Sequence, residues 1–399
     1  MEKTFTKAGN LLWAVLCLLF ITTGCKKNIE TPVDDLNSSS HKANIPDEKR
    51  FNRNDFDQVN LVGNDNTFNP ARVDPNLVNA WGMAFVPSGP DWISSQAMGL
   101  SVIYNTAGAD VRPPVTIPSP GSATDGGHPT GIVFNASSFF KLPNGNPAKF
   151  IFVGVDGIIS GWNAGNAAVK VFDNSATSVY TGLAIAADGA DSFLYAANFR
   201  TRKIEVYDKN WAKVFNKPFR DFFVPQGYAP FNIQNVGGNL FVMYAKVGSD
   251  GEEEVGAGKG FVDIYRPNGR LLKRFTSRGQ LNAPWGVAMA PSGFWSNKNW
   301  DGDDDDDDDH DHKGNGNHFG HHEIRNVFLV GNFGDGRINA YNQDGEFIGR
   351  LRSNGKTIKI EGLWALSFAP TTSTIDPNWL FFAAGPEDET KGLFGYIKN

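Results

Sequence analysis

Cysteine is almost missing from this chain: only Cys17 and Cys25 occur in its 399 residues. Downstream of Cys25 there is no thiol for a disulfide, a nucleophile or a metal ligand. Long apolar runs are missing too, since nothing after Ile21 approaches the roughly 20 residues that span a bilayer. A surplus of charge is missing from the body. The formal net charge is -6, but nine Asp crowd one stretch, and simple counting without them gives -6 + 9 = +3. With no broad basic face, nucleic acid is excluded as an expected partner. The nucleophile-elbow pattern G-x-S-x-G is absent, so serine-hydrolase chemistry has no motif here.

What is present begins with an export signal. Lys3 and Lys7 precede the apolar stretch LLWAVLCLLFI (Leu11 to Ile21), too short to cross a bilayer and suited to a signal peptide. The following TTGCKKN resembles the lipobox of a bacterial lipoprotein, with Thr22 where Leu is commonest. That resemblance implies a signal over 1–24, removed before a diacylated Cys25. A signal cut without lipidation is the alternative. Residues 25–55 then read as the lipidated Cys and a flexible polar tether, because they hold almost no large apolar side chains. The expected location is the bacterial cell envelope, at the outer membrane, with the membrane as partner through the lipid.

From Val59 onward one scheme recurs six times. An apolar segment opens each copy: AWGMAFVPSG, PTGIVF, TGLAIAADG, PFNIQNVGG, PWGVAMAPSG and LWALSFAP. A second strand follows, then a third such as KIEVYDKN or RINAYNQDG that ends in Asn/Asp-Gly hairpin chemistry. Outer strands appear as PPVTIP, AVKVFD, WAKVFN, LLKRFT and EFIGRL, and the sixth copy has none. QVNLVG, Gln58 to Gly63, precedes the first copy without a partner of its own and is expected to supply it. The fold class is therefore all-β: a six-bladed β-propeller over 56–399, closed by an N-terminal strand. A β-sandwich is the competing architecture, and six ordered copies do not fit it.

The unit PWGVAMAPSGF…VFLVGNFGDGRINAYNQDGEFIG resembles NHL-type propellers. The whole domain is similar to an exported bacterial NHL-like family of unassigned function and, more distantly, to gluconolactonase-like propellers. The second resemblance implies a divalent cation in the central channel, held by a Glu, an Asn and an Asp. Glu361, in EGLWALSF, matches the Glu of that motif, and no inner strand supplies the Asp. Weak catalytic candidates are thus Glu361 and His128, and whether the chain is an enzyme stays open. His128 in TDGGHPTG has the plainer reading of a loop cap. Asn79, Trp81, Trp285 and Trp364 flank inner strands and are candidates for a channel-mouth platform binding a glycan, peptide or protein. The same indoles read first as core, packed between blades at one level of the ring.

Asp301 to Glu323 carries nine Asp and five of the seven His. It interrupts the first turn of copy five, so residues 296–323 read as a disordered acidic and His-rich insert. No register gives an EF-hand, because Lys313 falls on ligand positions. Asp309, His310, Asp311, His312, His321 and His322 remain weak candidates for loosely held Ca or Zn. The function expected from these features is a lipid-anchored envelope module that binds a ligand or partner without catalysis. The alternative is a metal-dependent lactonase-like hydrolase.

Overall fold

Second strands of the repeat carry near-continuous apolar runs, and their burial explains why. FIFVG (Phe150–Gly154), FLVGN (Phe328–Asn332) and LFFAA (Leu380–Ala384) are buried at every position, as strands covered on both faces must be. The computed structural model describes residues 55–87, 89, 91–295 and 326–399, and it is nearly all β apart from a 3-10 turn at Ser292–Trp295.

Antiparallel sheets run from inner to outer strand in chain order. The inner strands of blades one to six are Ala80–Phe85, Pro129–Phe134, Tyr180–Asp188, Tyr228–Val236, Pro284–Met289 and Leu363–Phe368. Each packs against the next, and the sixth against the first. The result is a six-bladed propeller.

The recurrent glycine of the inner strands has a steric cause. A Cβ at Gly82 would stand 2.2 Å from the Thr130 carbonyl, and one at Gly182 2.0 Å from Asn232 Oδ1. Adjacent inner strands approach too closely for any side chain there. Further along the channel, Gln234 of blade four donates to the Leu366 carbonyl of blade six and accepts from the Val287 amide of blade five. One side chain thus ties three blades.

Blade six contains Leu363–Phe368, Leu380–Ala384 and Leu393–Lys398, and its fourth strand is Asp57–Gly63. The pairing is antiparallel, with Val59 opposite Tyr396 and Val62 opposite Phe394. Arg72–Val73 adds a short parallel strand outside it. The outer strand of blade three is only Lys213–Val214. There WAKVFN reads like its counterparts, but Trp211 takes a left-handed φ of 69° and its indole N–H donates to the Lys141 carbonyl. The chain then leaves the sheet as a strap over the edge of blades three and four. Cys25 and the acidic insert, with Asp309, His310, Asp311, His312, His321 and His322, lie outside the described residues.

Candidate functional site

Equivalent positions near the start of the inner strands set a layer across the ring: Trp81, Thr130, Thr181, Phe231, Trp285 and Trp364. All six are buried. Trp81 stacks on Trp364 at 3.6 Å between ring centroids, Phe333 covers Trp364 at 4.0 Å, and Trp285 meets it edge-on at 6.0 Å. Phe231 and Phe199 complete the cluster. The channel is closed at this level by aromatic packing. Trp81, Trp285 and Trp364 therefore sit in the core, forming the underside of the mouth. The Trp285 N–H donates to the Thr181 carbonyl, while Trp81 Nε1 and Thr181 Oγ1 find no partner among the described residues.

Polar side chains rise around this floor at the end where inner strands begin. Asn79 is buried with a left-handed φ of 49°. Its Oδ1 accepts from Trp364 Nε1 at 2.9 Å, and its Nδ2 donates to Gln96 and to the Glu389 carboxylate. Asn79 therefore joins blades one and six above the stacked indoles. His128 is exposed; its ring Nδ1 lies 3.4 Å from Gln96 Nε2, and its amide donates to Asp156. Burial, against hydrogen bonds from the His128 and Ile158 amides, pushes the Asp156 carboxyl upward. His128 is thus both a loop cap and part of the rim.

Two rim residues come from the longest turns between second and third strands, 247–259 in blade four and 385–392 in blade six. Burial, then the charges of Glu389, Glu252 and Asp250, pushes the Glu253 carboxyl up to about 7, against a hydrogen bond from its own backbone. Glu389 is also raised, first by burial and then by Glu252 and Asp388, while its bond to Asn79 opposes the shift. Glu389 is held at the mouth by its bond to Asn79, and its charge acts on Glu253 although blade five separates their parent blades, so the two long turns lean towards each other. No ion pair to Lys or Arg holds either one among the described residues. Glu387, Asp388 and Glu389 all take left-handed φ values, 54°, 52° and 64°, which costs strain and aims Glu389 inward.

Glu361 takes another place. It is exposed, and its Oε1 accepts from the Glu387 amide at 3.2 Å, bracing the same turn. No group of three or more His, Cys, Asp or Glu among the described residues converges as metal ligands would. Of the Glu, Asn and Asp that the gluconolactonase resemblance implies, only the Glu has a motif match, Glu361, and its carboxylate is engaged by the Glu387 amide, so the set is incomplete here. The sequence singled out Asn79 and His128 on this rim and missed Glu253 and Glu389; EEE and PEDE inside unusually long turns were the available signal.

No protein-family model matches the chain. It is similar to the uncharacterized protein R648 of Acanthamoeba polyphaga mimivirus, 30% identical over 358 residues that cover 85% of this chain and 80% of the relative. A second mimivirus protein, L690, is 28% identical over 357 residues and 84% of each chain. Among solved structures, a gluconolactonase from Xanthomonas campestris aligns with a TM-score of 0.42 at 12% identity, over 80% of this chain and 87% of its own. The sequence resemblance pointed to a bacterial family, whereas these relatives are viral. This chain belongs to the same protein family as R648.

Proposed function

We propose that the ring is a lipid-anchored binding module whose mouth takes a cationic group, the amine or guanidinium of a peptide or an amino sugar, without chemistry. The observation that carries this reading is the pair Glu253 and Glu389. Two acidic turns from non-adjacent blades, one carrying Glu253 and the other Glu389 bonded to Asn79, bring carboxyls that no ion pair engages among the described residues, above a floor sealed by indoles. A closed floor suits capture of a protruding head group, and neighbouring Asn79, Gln96 and His128 supply orienting hydrogen bonds.

Calorimetry with a lysine-rich peptide and with an oligoglucosamine tests it. Glu253 gains charge as the pH passes about 7, so affinity is expected to rise roughly tenfold from acid to mildly alkaline pH while the amine stays protonated, the scale of one charge-assisted hydrogen bond. Glu253→Gln should flatten that rise, and Glu389→Gln should weaken binding throughout. Titration curves indifferent to pH and to both substitutions reject the site.

Anchoring at Cys25 is proposed on the lipobox alone. Cys25→Ala should leave the protein in the aqueous fraction after detergent phase partition. Retention in the detergent phase would show that another element holds the membrane.

A further inference from the structure

Phe215, Phe222 and Phe223 are 85%, 86% and 86% exposed, far beyond the other large apolar side chains of the surface. All three belong to the strap that follows the truncated outer strand of blade three. Alternate residues of that strap are pinned. Lys217 pairs with Asp188 and lies over the Phe193 ring. Phe219 is buried between Tyr195 and Tyr265, and Asp221 pairs with Arg274. The phenyl rings are therefore displayed by fixed backbone rather than left over from a loose loop.

Exposed charge along this stretch of the chain is one-sided. Every exposed charged residue between 199 and 227 is basic: Arg200, Arg202, Lys203, Lys213 and Arg220. The acids of the same stretch are withdrawn. Glu205 pairs with Lys213, Asp221 with Arg274, and Asp208 is half-buried, accepting amide hydrogen bonds in its own turn. Protruding aromatics on a stretch of chain whose exposed charges are all basic match the interface of an anionic bilayer, where rings sink among the acyl chains and cations meet phosphates.

The chain before the ring supplies a reason for a bilayer to be present. Residues 26–54 link Cys25 to the first described residue. A lipid at Cys25 would hold the ring within reach of the surface at high effective concentration. We infer that the Phe215–Phe223 strap docks on the anionic lipid surface to which the chain is tethered, which fixes the ring's orientation there; this rests on the lipid anchor proposed above.

The test uses the scarcity of cysteine. In Phe222→Cys the mature chain has one free thiol, because Cys25 is acylated, and it accepts a polarity-sensitive fluorophore. On vesicles of phosphatidylethanolamine and phosphatidylglycerol the label should shift to the blue and be quenched by a nitroxide-bearing lipid. A label at Met98→Cys, half-exposed beside the mouth, should remain water-like. A second arm uses the released chain carrying Cys25→Ala, with vesicles added, so it does not depend on acylation. There Phe222→Asp with Phe223→Asp should lower the bound fraction roughly tenfold or more. Water-like emission of the acylated chain on vesicles, with a bound fraction of the released chain that the two substitutions leave unchanged, overturns the inference while leaving the anchor standing. A blue shift that needs no lipid and grows with protein concentration also overturns it, because the occupant is then a second copy. Failure of the acylated chain to join vesicles while the released chain still docks would reject the anchor alone.

Discussion

Removal of residues 55–63 is expected to abolish the cooperative thermal transition of the ring, or to lower its midpoint by tens of degrees. The segment is the fourth strand of blade six and buries Phe56, Leu61 and Val62. Phe56 reaches past that blade. Its ring stacks on Phe294 at 4.7 Å and meets Trp295 edge-on, and its amide donates to the Arg352 carbonyl. At about 1.5–3 kcal/mol for each large apolar side chain removed from the core, the loss is comparable to the whole stability of an ordinary domain. It also leaves Leu393–Lys398 as an unpaired edge and invites aggregation. Gly395→Val attacks the same seam without deletion, because a Cβ there would stand 2.1 Å from the Val59 carbonyl and 2.8 Å from the Phe382 ring. Calorimetry of both variants is the check. A deleted chain that melts at the parental temperature would mean the ring holds by packing of its inner strands alone.

That seam was legible in the sequence, because a strand without a partner and a repeat without a strand are complementary deficits. The inner strands were legible for a different reason. Their glycines are imposed by the approach of neighbouring blades, so Gly82 and Gly182 recur whatever the ring does. The rim was read only in part. Asn79 and His128 directly precede inner strands, so the repeat itself located them. Glu253 and Glu389 lie far apart in long turns, and only circular closure brings blade four and blade six over one opening. Glu361 shows the opposite failure. Its sequence neighbourhood matches a ligand motif, yet its carboxylate is taken up in capping the Glu387 amide. The display of Phe222 and Phe223 depends on Phe219 and Asp221 being pinned to blade four, which no local pattern encodes.

Replacement of Asp91 should remove a large part of the pH dependence of stability. Asp91 opens the second strand of blade one, opposite Phe85 and Tyr104. It is fully buried, and neither carboxylate oxygen has a hydrogen-bond partner among the described residues. Burial alone pushes it up to about 8, against an unfolded value of about 3.9. The folded chain therefore holds this proton longer than the unfolded chain. The stabilisation is whole below about pH 4 and is lost progressively as the pH rises towards 8, at about 1.36 kcal/mol per unit and so on the order of 5 kcal/mol in all. Other groups act in the same window. Glu253 is raised to about 7, and Asp263 is raised by burial to about 6 despite Arg274. Asp65 and Asp173 act oppositely: hydrogen bonds from Lys391 and Ser175 lower them to about 2, so their contribution is lost only in strong acid. A difference measurement separates Asp91 from these. Asp91→Asn keeps the size and cannot ionise, so its melting temperature should match the parent near pH 4 and exceed it increasingly up to pH 8. Parallel curves for the two proteins across that range would mean that Asp91 ionises freely, with water or a cation reaching a carboxylate the fold otherwise seals away.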